Sequence, residues 1–215
     1  LQALAQRESG ESRYHRRALA PHPRLECKTC RKINMSITKE RQQSAYLALA
    51  KTFGYTSTMQ GPRIMKVVVS TGVGKKRDKK QLEVIEDRLA KITGQKPSAR
   101  PARISIASFK VREGDTVGLQ VTLRGARMYD FVDKLIHIAL PRTRDFRGIS
   151  PKAIDEMGNI TIGIKENTIF PETSDEDLKD VFGLAITIVT TAKSKPEAEA
   201  FFRHLGLPLI VETKK

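Results

Sequence analysis

The sequence predicts an α+β domain: a single, largely antiparallel sheet with helices packed on one face and the other face left open. Three observations lead there. Ile160, Ile162 and Ile164 recur with period two, as do Leu184, Ile186 and Ile188, and Val117, Leu119, Val121 and Leu123, the pattern of strands buried on one side only. Around them run helical segments with one apolar stripe each, enough to cover one sheet face. The residues alternating with the 117–123 set, Gly118, Gln120, Thr122 and Arg124, carry donors and a cation with little to bury.

Taken in order, Tyr46, Leu49, Ala50 and Phe53 fall at i, i+3, i+4 and i+7 and predict a first helix that Gly54 can end. Arg63–Ser70 is rich in Val and reads as a mostly buried strand. Leu82, Ile85, Leu89 and Ile92 make a second helix, stopped by Gly94. Ile104 and Ile106 alternate with Arg103, Ser105 and Ala107 as a half-buried strand. A hairpin follows, Phe109–Arg112 returning through a Glu-Gly-Asp turn at 113–115 into Thr116–Arg124. Met128, Phe131, Val132, Leu135 and Ala139 mark a third helix, stopped by Pro141. The strands at 160–164 and 184–188 come next. Ser194-Lys195-Pro196-Glu197 reads as a capping box opening a last helix with the stripe Ala198, Phe201, Phe202 and Leu205, ended by Gly206.

The 215 residues carry 39 Lys+Arg against 24 Asp+Glu, a formal net charge of +15, which favours anionic partners. The surplus is uneven. Residues 1–34 hold eight Lys/Arg and three Glu, Arg63–Lys80 seven Lys/Arg and one Asp, and residues 96–147 eleven Lys/Arg and five Asp/Glu. Residues 151–180 reverse the sign, with three Lys and eight Asp/Glu. No stretch approaches the ~18 apolar residues of a membrane helix. The chain opens with Leu1, and Met35, just ahead of the first helical pattern, is expected to be the natural start. The expected organisation is a basic extension over 1–34, a domain over 35–211 and a tail over 212–215.

Conventional catalytic chemistry finds few residues. Cys27-Lys28-Thr29-Cys30 is half a zinc site; His15 and His22 could complete it, but their spacing fits no standard finger, so no metal and no cofactor is expected. Gly72-Val73-Gly74-Lys75 follows a strand like a phosphate-binding loop. It lacks the full nucleotide-loop spacing, and Lys76 stands where Ser or Thr would hold magnesium. The two glycines still allow backbone N–H groups near an anion, with Lys75, Lys76, Arg77, Lys79 and Lys80 around it. His137 and His204 read as structural or surface residues, and Asp175-Glu176-Asp177 as a helix start. No nucleophile has an adjacent base and orienter.

Beyond these readings lies a series of longer strings. They are YTSTMQGP at 55–62, GQKP at 94–97, SFKVREGD at 108–115, VTLRG at 121–125, PRTRDFRG at 141–148, GNITIGIKENTIFPE at 158–172 and ITIVTTAKS at 186–194. In that order and spacing, over residues 36–210, the chain resembles the large-subunit ribosomal protein L-five family of the bacterial type. The resemblance implies a non-catalytic constituent of the large ribosomal subunit. Its partners would be 5S ribosomal RNA and large-subunit RNA in the central protuberance, peptidyl-site transfer RNA, and neighbouring ribosomal proteins including one of the small subunit, with no membrane. It implies a bacterial cytoplasmic ribosome or, as an alternative, an organelle ribosome. Carried over by motif, the ribosomal RNA contact would use Lys66, Ser70, Thr71, Gly72, Gly74, Lys75, Gln95, Lys96, Thr122, Arg124 and Arg127. Lys110, Val111, Arg112, Glu113 and Gly114 match the segment reaching transfer RNA. Arg142, Arg144, Asp145 and Arg147 match the subunit-facing loop, which spans 142–159. Ser70 departs from the family's Asn, and a hydroxyl cannot reproduce an amide's two-armed contact. The competing readings are an extraribosomal RNA-binding adaptor and a phosphate-ester enzyme using the Gly72–Lys75 loop.

Overall fold

Alternation along the strands decides the architecture. In a computed structural model, which describes residues 36–74, 79–173 and 181–210, five strands form one antiparallel sheet in the order β2-β3-β1-β5-β4. They are β1 (Ile64–Gly72), β2 (Ser98–Pro101), β3 (Thr116–Leu123), β4 (Ile160–Ile164) and β5 (Leu184–Thr190). The helices are α1 (Ile37–Phe53), α2 (Lys79–Thr93), α3 (Ala126–Lys134), the single turn α4 (Leu140–Arg142) and α5 (Lys195–Leu205). The expected α+β class and its one-faced burial are what the chain adopts.

The core lies between sheet and helices. Val67 and Val69 of β1, Val121 and Leu123 of β3, Ile160 of β4, and Ile186 and Ile188 of β5 are almost wholly buried. They meet Ile85, Leu89 and Ile92 of α2, Met128, Phe131 and Val132 of α3, and Ala198, Phe201, Phe202 and Leu205 of α5 in one apolar cluster. Each large side chain so buried contributes about 1.5–3 kcal/mol. Polar groups tie the layers together. The Gln42 amide accepts from the Ile64 N–H at 3.1 Å and donates to the Tyr129 hydroxyl at 3.0 Å, joining α1, β1 and α3. The start of α1 is capped from afar: Ser36 makes no side-chain cap, and the Asp133 carboxylate of α3 accepts the Thr38 N–H at 2.9 Å instead.

Several expectations need correction. β1 is buried on alternate residues, because only one sheet face is covered. Residues 103–107 form no strand: Ile104 is 71% exposed and Ile106 44%, since no helix reaches them. The outer strand is β2, paired to β3 from Ser98–Gln120 to Pro101–Thr116. The hairpin is therefore β2 to β3 with residues 102–115 as its loop, not a tight return from Phe109–Arg112. Its base is closed by Ala102 N–H to Asp115 O at 2.8 Å and Gly114 N–H to Ala102 O at 3.1 Å. Beyond the base, Ile106 and Val111 bridge around a short 3₁₀ turn. Pro141 does not stop the third helix. A π turn at Leu135–Ala139 widens the backbone ahead of it, and α4 runs through to Arg142. The wider turn relieves the clash a proline ring makes with the carbonyl four residues earlier.

The box at 194–197 forms only in part. Ser194 makes no side-chain cap, and Glu197 reaches past it to accept the Lys193 N–H at 2.9 Å. The other Glu197 oxygen accepts the Tyr55 hydroxyl, which ties the segment after α1 to the start of α5. Glu197 is 8% exposed. Burial, and then the hydrogen bond and charge of Glu197, push the Tyr55 hydroxyl above its ordinary value of 10.0. The unfolded chain thus loses this proton first as pH rises, so the contribution is complete below pH ~10 and is lost progressively above it. Tyr55→Phe should flatten the alkaline decline of stability above pH ~10 in urea titrations, while wild type falls more steeply; parallel curves would refute the link.

Candidate nucleic-acid interface

Every strand residue that does not face the helices faces outward, and the register says which these are. Lys66, Val68, Ser70 and Gly72 of β1 share the open face with Gly118, Gln120 and Thr122 of β3. Ser98 and Arg100 of β2 join them, paired to Gln120 and Gly118. Ala185, Thr187 and Val189 of β5 and Thr161 and Gly163 of β4 complete it. None of the five strands contains an Asp or Glu. Among the described residues, the ion pairs Asp87–Lys91, Glu86–Lys96, Glu172–Lys134 and Glu199–Arg203 all lie away from this face. Its cations keep their charge uncompensated by strand carboxylates, which suits an anionic surface.

The residues carried over for ribosomal RNA divide into groups. Lys66, Ser70 and Thr122 are on the open face, and Arg124 is exposed just past the end of β3. Ser70 spends its hydroxyl hydrogen sideways, toward Ala185 O at 3.4 Å. Thr71 turns to the covered side, where it is 5% exposed and donates to Gly183 O at 2.8 Å; it can offer a partner only its backbone. Gly72 is exposed and Gly74 half-buried beside Val117, while Lys75 lies outside the described residues, as do Lys76 and Arg77. The start of α3 gathers a second group. Gln95 donates from Nε2 to Thr122 O at 2.8 Å, and the Arg127 guanidinium reaches Gly94 O at 3.5 Å, so Gln95, Thr122 and Arg127 meet beside Arg124. Lys96 is exposed and paired with Glu86 at 3.3 Å.

The segment assigned to transfer RNA is the end of the 102–115 loop. Lys110 holds a left-handed backbone with φ 53°, Val111 bridges Ile106, and the Arg112 N–H donates to the Asp115 carboxylate at 2.9 Å. Glu113 is exposed, and Gly114 has φ 88°. Exposed Arg103, Ile104 and Phe109 share this loop, so an apolar tip sits among cations. Between the loop and the ends of β1 and β3 lies an open groove of about 1390 Å³, lined in part by Ile106, Phe109, Val117 and Phe182. Arg142 at the end of α4, and Arg144, Asp145 and Arg147 in the loop that follows, are exposed, with Asp145 left-handed at φ 51°. Cys27, Cys30, His15, His22 and the 175–177 acidic run lie outside the described residues. Among the described residues no His, Cys, Asp or Glu cluster could hold a metal.

Sequence reasoning missed Arg100, whose Nε donates to the Gln120 amide oxygen at 2.7 Å on the open face. The signal was present: Pro97 and Pro101 bracket Ser98–Arg100, and proline at strand ends is the habit of an edge strand.

Fold and face together define a two-layer α+β protein, one sheet against one layer of helices, with a cationic, carboxylate-free open sheet surface. Residues 57–112 match the family described as ribosomal protein L5, and residues 116–209 match the model of that ribosomal family's C-terminus. A large ribosomal subunit protein uL5 from Anaeromyxobacter sp. (strain K) is 49% identical over 172 residues, which cover 79% of this chain and 96% of that protein. The uL5 of Heliobacterium modesticaldum is 47% identical over 180 residues, 83% of this chain and 100% of its own. That of Rubrobacter xylanophilus is 49% identical over 176 residues, 81% and 98%. The chain belongs to the ribosomal protein L5 family. Membership makes it a constituent of the large ribosomal subunit, an RNA-binding protein of translation.

Proposed function

We propose that this protein binds 5S ribosomal RNA through the open sheet face and so helps hold it in the central protuberance of a bacterial cytoplasmic ribosome. The observation that carries the reading is the absence of any carboxylate from the five strands, beside Lys66, Arg100 and Arg124. RNA helices are recognised by shape, 2′-hydroxyls and phosphates, and a flat face of hydroxyls, amides and cations offers partners for each. The domain over 35–211 does this work without catalysis. The 102–115 loop, with Lys110 and Arg112, reaches peptidyl-site transfer RNA. The 142–159 loop, with Arg142, Arg144 and Arg147, faces a small-subunit protein, and large-subunit RNA lies alongside.

Binding of the full chain to a 5S ribosomal RNA transcript is expected to weaken steeply as salt rises, since each phosphate contact releases counterions and adds about one to the slope of log affinity against log salt. A salt-indifferent curve, or equal affinity for an unrelated RNA of the same length, would overturn the assignment.

A further inference from the structure

The open face continues past the residues assigned so far. One unbroken row crosses it from Thr122 through Val68 and Thr187 to Thr161. The neighbouring row runs Ser98, Gln120, Ser70, Ala185, Gly163 across all five strands. Its cations sit at the β2, β3 and β1 end. Along these two rows the side chains shrink toward β5 and β4 to hydroxyl, methyl and hydrogen, and Val189, level with Lys66, is the larger side chain that β5 adds beyond them. Gly163 is not held there by the chain's own needs: a Cβ would meet nothing within 4 Å, and its backbone is not left-handed. A glycine inside a strand with no such internal reason marks the close approach of another backbone. Beside it the Thr161 and Thr187 hydroxyls lie 3.1 Å apart. One donates to the other, which leaves the pair one free hydroxyl hydrogen and free lone pairs toward solvent. A ribose 2′-hydroxyl, both donor and acceptor, is its complement.

We propose that the β4–β5 half of the face reads 2′-hydroxyls along one strand of an RNA helix, while Lys66, Arg100 and Arg124 hold phosphates of the other strand. The proposal rests on the RNA-binding reading above and names the part of the RNA that each half of the face meets. The halves meet where β1 pairs with β5, and three interstrand spacings of about 4.8 Å separate β3 from β4, so the face from the end of β3 beside Arg124 to Thr161 is about 14 Å broad. A flat face of that breadth can lie against the wide, shallow minor groove of an A-form helix, whereas the deep, narrow major groove excludes it. Lack of cations at β4 and β5 fits contact with sugars rather than phosphates, and the small side chains at Ala185, Thr187, Thr161 and Gly163 let those sugars come near the sheet.

The test compares full-length wild type, the double variant Thr161→Val with Thr187→Val, and Arg124→Glu. Each is titrated against a 5S ribosomal RNA transcript and against versions carrying 2′-deoxyriboses in one strand of one helix at a time. Valine keeps the shape and suits a strand, so the melting temperature of the double variant should equal wild type. The double variant should bind the unmodified RNA about five-fold more weakly, the worth of roughly one net hydrogen bond. Its salt slope should stay unchanged, because no phosphate contact is lost. One deoxy-substituted strand should cost wild type a similar factor and cost the double variant nothing further. Undiminished binding by the double variant, or a full additional loss on every deoxy RNA, overturns the proposal. If Arg124→Glu weakens binding while the double variant does not, only this proposal falls; if neither does, the RNA-face reading falls with it.

Discussion

Replacing Arg124 and Arg127 together by Glu should weaken binding of 5S ribosomal RNA by about tenfold for each reversed charge and lower the salt slope by about two. The two side chains reach this point from different elements: Arg124 follows the last residue of β3, and Arg127 sits in the first turn of α3. Both are exposed, and the Arg127 guanidinium reaches Gly94 O only at 3.5 Å, so the fold does not rest on them. Circular dichroism and melting temperature should therefore stay within the small range of surface substitutions. Unfolding in proportion to the loss of binding would contradict the face assignment. A steeper salt slope in the variant would contradict the phosphate assignment.

Gly158→Ala should produce the largest loss of stability, about 2–4 kcal/mol. The glycine holds φ 76°, which an L side chain rarely adopts. A Cβ there would lie 2.8 Å from the Ala192 Cβ and 3.1 Å from the Ala192 O, with main chain that cannot step aside. The surroundings add rigidity. The Gly158 N–H donates to Asp155 O at 3.0 Å, and the Thr190 hydroxyl donates to Gly158 O at 2.7 Å, so the turn before β4 is fixed to the end of β5. For a protein of this size each kcal/mol shifts the melting temperature by roughly 2–4 °C. A fall of about 4–16 °C by calorimetry is expected, and a shift under about 1 °C would show that the turn relaxes freely.

Strands buried on one side were legible because alternation is a local property. Ile160–Ile164, Leu184–Ile188 and Val117–Leu123 need no knowledge of their partners, and neither do the helix ends at Gly54, Gly94 and Gly206. The residues around 98–112 mislead for the opposite reason. Ile104 and Ile106 alternate as a strand would, but whether they are covered depends on a helix that does not extend to them. The true strand, Ser98–Pro101, has no apolar alternation, since it is an edge exposed along its whole length. At Pro141 the local rule for ending a helix was sound, and a π turn upstream made it inapplicable. On the candidate face, Thr122 follows from period two, whereas Lys66 and Ser70 came only with the resemblance, because the Val-rich run around them reads as buried on both sides. Thr71 shows the limit: its place in a motif said nothing about the side it faces, whereas its parity with Val67 and Val69 did. Asp133 capping α1 across 95 positions could not have been read from the residues around either end.

The strand order has a bearing on how the molecule is made. β1 is finished at Gly72, yet one of its two neighbours, β5, is not complete until Thr190. A growing chain therefore carries an apolar strand with a bare edge for more than half of its synthesis, and a bare apolar edge invites pairing with the wrong partner. Closing so long a loop also makes β1–β5 pairing a slow step. The polar platform spanning β3, β1 and β5 comes into being only when that step is done. A chain that ends before β5 therefore carries most of its cations with only part of its sheet, and the open face becomes continuous across β1 and β5 only once Leu184–Thr190 has been added.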